Sequence, residues 1–179
     1  VGTYCDLALD SNNIPQVCYQ HDTGGTFYAN RSGGTWSNID VDTTNQGTAC
    51  SIDRDNNNDI GIAFIRDTTD DRLEYIFINS TNGTSTLTEI DDCGASCAFR
   101  DKLGIEFDSN NNYHVSYAQG SGTTQNVFYR NSTTTRQTMI NTDLSGDPNS
   151  LALDSNNIPH IIYANQSAPT LRYANRTSG

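Results

Sequence analysis

The feature that most constrains this chain is a unit that returns four times. An apolar run ends at Asp10, Asp55, Asp108 and Asp154, at spacings of 45, 53 and 46 residues, and an Asn-rich turn follows each of them. Nine residues after each Asp stands an aromatic: Tyr19, Phe64, Tyr117 and Tyr163. A later run carries a second aromatic two residues before an Asn, in the pairs Tyr28 and Asn30, Phe77 and Asn79, Tyr129 and Asn131, Tyr173 and Asn175. Self-similarity at this period belongs to arrays in which each unit hides its apolar side only against its neighbours.

Each unit parses into four segments, in the first copy 4–10, 15–20, 26–30 and 35–42. They are separated by the turn formers Ser11-Asn12-Asn13, Thr23-Gly24-Gly25 and Ser32-Gly33-Gly34. Leu7 and Leu9 alternate with Asp6 and Ala8, and Val17 and Tyr19 with Gln16 and Cys18. That two-residue period is the mark of half-buried strands. A four-stranded antiparallel meander recurring at about 45 residues is the pattern of a β-propeller blade. The expected fold is therefore all-β: a single domain over 1–179 forming a four-bladed β-propeller, or four blades of a longer one. The blades fall at about 1–46, 47–98, 99–147 and 148–179. The fourth repeat stops after its third segment, so the last blade is expected to lack its outer strand. An unpaired edge is a template for another strand. Either the natural chain is longer, or a neighbouring copy completes the blade and builds a filament end to end. The chain does not begin with Met, as expected of a processed form or a segment.

Composition narrows the setting. The 34% hydrophobic content lies in short Val, Ile, Phe and Tyr runs, so burial must come from many thin strands. None approaches the roughly 18 apolar residues of a membrane span, and the first residues lack a secretion-signal profile. With 21 acidic against 10 basic side chains the net charge is −11, which repels a nucleic-acid backbone. Five cysteines suit an oxidising, extracellular compartment. Cys93 and Cys97 could close a tight loop across Gly94. Cys5 and Cys50 hold the same position in repeats one and two, which leaves Cys18 as the candidate free thiol, with the pairing open. No CxxC pair with a matching His pair suggests zinc.

The stretch Tyr28-Ala29-Asn30-Arg31-Ser32-Gly33-Gly34-Thr35-Trp36-Ser37 resembles the Asp-box of sialidase-like propellers, without the motif's Asp. The unit from Leu151 to Tyr163 resembles the tandem propeller repeats of secreted microbial proteins. A sialidase resemblance implies an arginine cluster gripping a carboxylate and a Tyr/Glu pair attacking the sugar. Arg54, Arg66, Arg72, Arg100, Arg130 and Arg172 do not fall at matching positions. No carboxylate pair of the kind a retaining glycosidase needs stands out. Catalysis is not expected.

Four candidate sites remain. N-x-Ser/Thr triplets begin at Asn30, Asn79, Asn82, Asn131, Asn165 and Asn175. Four of them share one turn of the repeat, and so one face on which a glycan costs nothing in packing. Asp53, Asp55, Asn57 and Asp59 place oxygens at alternate positions, as a calcium loop does, though such Asp and Asn also build turns. His114 and His160 share a position six residues after the Asp, where a local hydrogen bond is the ordinary use; His21 stands alone in a loop. The loops 20–26, 66–72, 118–125 and 164–170 are polar and ring the end opposite the triplets. The expected function is a non-catalytic, glycosylated structural or adhesive subunit outside the cell, self-associating into a homopolymer or holding cell-surface or matrix glycans. The alternative is a lectin-like, carbohydrate-binding propeller, and a sialidase-like hydrolase stands third. Calcium is the one cofactor considered.

Overall fold

The computed structural model describes residues 4–22, 24–42, 46–67, 71–94, 97–121, 124–140, 149–165 and 170–176. They form antiparallel strands, with one 3-10 turn at Ser32–Gly34. The first sheet holds β1 (Cys5–Leu9), β2 (Pro15–Gln20), β3 (Thr26–Asn30) and β4 (Ser37–Asp42). The second holds β5 (Gln46–Arg54), β6 (Ile60–Asp67), β7 (Arg72–Ile78) and β8 (Ser85–Asp92). The third holds β9 (Ala98–Phe107), β10 (Tyr113–Ser121), β11 (Thr124–Asn131) and β12 (Thr134–Ile140). The fourth holds three strands, β13 (Asn149–Leu153), β14 (Pro159–Asn165) and β15 (Thr170–Asn175). Every sheet is a meander in chain order, and the segments read from the first repeat match its strands to within two residues. No helix long and apolar enough to cross a membrane occurs among the described residues.

The first turn of each repeat is built the same way. The Asp side chain accepts the backbone N–H groups two and four residues on: Asn12 and Ile14 at Asp10, Asn57 and Asp59 at Asp55, Asn110 and Asn112 at Asp108, Asn156 and Ile158 at Asp154. The third residue after the Asp is always Asn with positive φ, at Asn13, Asn58, Asn111 and Asn157, because Asn tolerates the left-handed region better than other side chains. Three of these left-handed asparagines also reach the preceding sheet. Asn58 Oδ1 accepts Ser11 N–H, Asn111 Oδ1 accepts Asn56 N–H, and Asn157 Oδ1 accepts Ser109 N–H, at 2.9–3.1 Å.

The sheets stack face to face in chain order, with β5 packed between β1 and β9, and β9 between β5 and β13. The face each sheet turns to its predecessor is here its front, and the other its back. Cys18 and Tyr28 on the first back meet Ile52, Ile62, Phe64 and Ile76 on the second front. Ala63, Leu73 and Tyr75 on the second back meet Ile105, Val115 and Tyr117 on the third front. Val127 and Tyr129 on the third back meet Leu151, Ile161 and Tyr163 on the fourth front. Three apolar layers thus join four sheets, and among the described residues none joins the fourth sheet to the first. The two repeated aromatics divide the work: that of the second strand faces front, that of the third strand faces back.

The cysteine pairing differs from the sequence expectation. Cys18 is bonded to Cys50, Cys93 to Cys97, and Cys5 is the free, exposed thiol. Cys5 and Cys50 occupy equivalent front positions on successive sheets, so a whole sheet lies between them. Cys18, on the intervening back face, is what Cys50 meets.

One position breaks the repeat for a packing reason. The back-facing aromatic hydroxyl meets a polar partner on the second strand in three sheets: Tyr28 Oη donates to Gln16 Oε1, Tyr129 Oη pairs with His114 Nδ1, and Tyr173 Oη with His160 Nδ1. The second sheet has Phe77 without a hydroxyl, and Gly61 where the partner would stand. A Cβ on Gly61 would lie 2.6 Å from the Phe107 ring and 2.9 Å from the Tyr75 ring, and neither ring can yield cheaply in a packed layer. Gly61→Ala is expected to destabilise the fold by about 1–3 kcal/mol, read as a lower denaturant midpoint at unchanged slope.

Candidate binding cleft

The first strands of the four sheets converge on a cleft of about 690 Å³. Asp6, Asp53, Arg54, Asn56, Lys102, Glu106 and Asn149 line it together with Leu7 and Leu9. Two of its carboxylates brace neighbouring strands. Asp6 Oδ2 accepts Ser51 Oγ–H at 2.7 Å and Ile52 N–H at 3.1 Å, and Asp53 Oδ2 accepts Phe107 N–H at 2.8 Å. Arg54 Nε donates to the Leu9 carbonyl at 2.7 Å, and Asn149 Nδ2 to the Lys102 carbonyl at 2.9 Å. The Lys102 ammonium lies 5.9 Å from the centre of the Tyr4 ring, within cation–π reach.

Glu106 stands apart from this bracing. Its carboxyl makes no hydrogen bond among the described residues. Burial, reinforced by the charges of Asp53 and Asp6, pushes its pKa up from 4.5 to about 7. Burial likewise raises Asp53, against the Phe107 N–H that favours its charged form. A carboxyl titrating near neutrality both donates and accepts hydrogen bonds. Because the fold prefers the protonated acid, this contribution to stability is complete below pH 4.5 and is lost as pH rises through 7. Glu106→Gln is therefore expected to gain on the order of 2 kcal/mol over the natural chain at pH 8 relative to pH 5, read from chemical denaturation at the two pH values.

The remaining sequence candidates fall elsewhere. Asp55 and Asp59 serve turns: Asp55 as above, and Asp59 Oδ1 accepts Ser80 N–H at 2.8 Å and Ser80 Oγ–H at 3.0 Å. Asp53 belongs to the cleft, and among the described residues no group of three or more His, Cys, Asp or Glu is placed to share a metal ion. The loop does not bring Asp53, Asp55, Asn57 and Asp59 together as a cage. His114 is buried, and burial lowers its pKa against the opposing pull of Asp108. His21 pairs with Asp22 at 3.0 Å and lies against Phe27.

Among the triplet asparagines, Asn30 and Asn131 point their Nδ2 groups at Tyr28 Oη and Tyr129 Oη, and Asn79 points its own at Asp59. Asn82 and Asn175 are exposed, and the Asn165 side chain lies outside the described residues. At the opposite end, residues 23, 68–70, 122–123 and 166–169 of the polar loops also lie outside them. There Arg66 is held between Asp42 at 2.8 Å and Glu74 at 3.0 Å, across the first two sheets. Trp36 of the Asp-box-like turn is 53% exposed. Sequence reasoning missed Glu106, since nothing local distinguishes it among 21 acidic residues.

Sheets of this order, stacked front to back with converging first strands, define an all-β repeat fold with a polar cleft at its centre. No protein-family model matches the chain, and no curated protein matches it. Solved structures share the fold. A protein of unknown function from Dyadobacter fermentans superposes with TM-score 0.65 at 9% identity, over 94% of this chain and 58% of its own. AofleA from Arthrobotrys oligospora gives 0.62 at 12% identity, over 98% and 53%. A fucose lectin from Kordia zhangzhouensis, in complex with methyl-fucoside, gives 0.50 at 12% identity, over 75% and 96%. The chain spans between 53% and 58% of the length of the first two.

Proposed function

We propose that the chain is a non-catalytic carbohydrate-binding module made of four consecutive β-propeller blades, acting outside the cell on cell-surface or matrix glycans, with the central cleft as its sugar site. The observation that carries this reading is Glu106: a carboxyl poised near neutrality, without a hydrogen-bond partner among the described residues, facing a cleft that Lys102 also lines and that Leu7 and Leu9 flank. Sugar hydroxyls need donors and acceptors side by side, and the C–H face of the ring needs an apolar wall. The likeness of fold to a lectin that holds methyl-fucoside supports the ligand class. Two disulfides fit the oxidising setting. Catalysis has little to work with, because Asp6 and Asp53 are taken up by backbone N–H groups, whereas a retaining glycosidase needs two carboxyls free to act on one bond.

The test is titration calorimetry with methyl-fucoside, beside an immobilised panel of mono- and oligosaccharides. Saturable binding at millimolar ligand or below is expected, with at least a tenfold loss in Glu106→Ala at unchanged circular dichroism. Absence of binding across the panel, or binding that ignores Glu106→Ala, overturns the assignment.

A further inference from the structure

Asn82-Gly83 is the one Asn-Gly pair in the sequence, and it stands in the turn that joins β7 to β8. Asn82, Gly83 and Thr84 are all exposed. The Asn82 carboxamide is held from one side. Its Oδ1 accepts Thr84 N–H at 2.9 Å and Thr84 Oγ–H at 2.7 Å, while its Nδ2 makes no hydrogen bond among the described residues. Gly83 has φ 71°, and a Cβ built on it would meet nothing within 4 Å, so the backbone nitrogen beside the carboxamide is open to water.

The asparagines that follow the third strand of each sheet lack this combination. The nitrogen after each of them is tied to the second strand or the first turn of its own sheet: Arg31 N–H to the Pro15 carbonyl, Ser80 N–H to Asp59 Oδ1, Ser132 N–H to the Tyr113 carbonyl and Arg176 N–H to the Pro159 carbonyl. Asn30 and Asn131 also engage Nδ2 on a tyrosine hydroxyl, and Asn79 engages its own on Asp59. Gly83 N–H instead donates to the Asn79 carbonyl at 2.8 Å. That bond lies within the turn itself and opens without disturbing the sheet.

We propose that Asn82, Gly83 and Thr84 form a self-modifying turn, in which Asn82 cyclises onto the Gly83 nitrogen and is converted to aspartate or isoaspartate. Hydroxide takes the Gly83 amide proton, and the nitrogen attacks Asn82 Cγ to form an N–Cγ bond. Negative charge moves on to Oδ1, where the two Thr84 donors already point, so stabilising it needs no reorganisation. Nucleophile and carbonyl sit in one turn, which makes the step unimolecular. The Cγ–Nδ2 bond then breaks, and Nδ2 leaves as ammonia with a proton from water. Water opens the five-membered imide at either carbonyl: one opening gives aspartate, and the other routes the main chain through the side chain as isoaspartate. Both products add a negative charge and end the N-x-Thr triplet at position 82. None of the three residues lines the cleft, so the conversion does not depend on what the cleft binds.

The experiment incubates the purified chain at mildly alkaline pH and follows every asparagine by peptide mapping, with chromatography separating aspartate from isoaspartate. Position 82 should convert before any other asparagine, and faster as pH rises. Thr84→Val keeps the shape of the side chain but removes the hydroxyl donor. It should slow conversion in the folded chain by about fivefold, the worth of one hydrogen bond, and Thr84→Ser should restore the rate. In urea, where Thr84 is no longer held against Oδ1, Thr84→Val and the natural chain should convert alike. Asn82 left intact while other asparagines convert overturns the proposal. So does a folded Thr84→Val variant that converts at the rate of the natural chain.

Discussion

Replacing Cys18 and Cys50 together by serine is expected to lower the stability of the fold by about 3–4 kcal/mol, and the melting temperature by roughly 10 °C for a domain of this size. The bond joins residues 32 apart in sequence. The loop-entropy cost released to the unfolded chain accounts for most of that figure. The remainder comes from the surroundings, because Cys18 is fully buried between the first two sheets and a serine hydroxyl there adds an unmet polar group. The first sheet depends on this tie more than the second and third would, since among the described residues only its back is covered. Equilibrium unfolding of the double variant decides the matter. A midpoint unmoved from that of the natural chain would show that apolar contact alone holds the first sheet.

Tyr117→Ala is expected to cost about 4 kcal/mol. The side chain is fully buried in the layer between the second and third sheets, packed near Phe99 and Phe128. Its hydroxyl donates to Asp91 Oδ2 at 2.7 Å, tying the third sheet to the second. Truncation opens a cavity in a packed layer and removes that bond together. Tyr117→Phe isolates the second part, at about 1 kcal/mol. Tyr19 is the same repeat position on the uncovered first front, so Tyr19→Ala should cost far less in the monomer. Denaturant midpoints for the three variants test the assignment of front and back faces, and equal losses at Tyr19 and Tyr117 would contradict it.

Much of the architecture was legible in the residues. Alternation at Leu7, Leu9, Val17 and Tyr19, with Asn and Gly clusters between runs, marked strands and turns because side-chain period and turn chemistry are local properties. The shared local hydrogen bond of His114 and His160 was legible for the same reason, although its partner, the tyrosine of the next strand, was not read. Other features resisted. The equivalent positions of Cys5 and Cys50 make Cys18 the candidate free thiol with the pairing open, whereas packing sheets front to back brings unlike positions together and bonds Cys18 to Cys50. Asp53 to Asp59 has the oxygen spacing of a cation loop, but Asp53 accepts Phe107 N–H in the cleft, while Asp55 accepts the N–H groups of its own turn and Asp59 accepts Ser80 N–H and Oγ–H.

What the sequence by itself determined is the unit: four copies of a strand meander, the turn that closes each first hairpin, and which aromatics are sticky on which strand. All of this follows from interactions spanning a few residues, which recur wherever the residues recur. Only the tertiary structure decided which faces meet, which cysteines bond, and that Glu106 enters a cleft walled by β1, β5, β9 and β13. Those outcomes depend on stacking sheets whose contacting residues lie about fifty positions apart. A carboxyl's burial and its neighbours' charges, which set what it can do, exist only once those distant strands have come together.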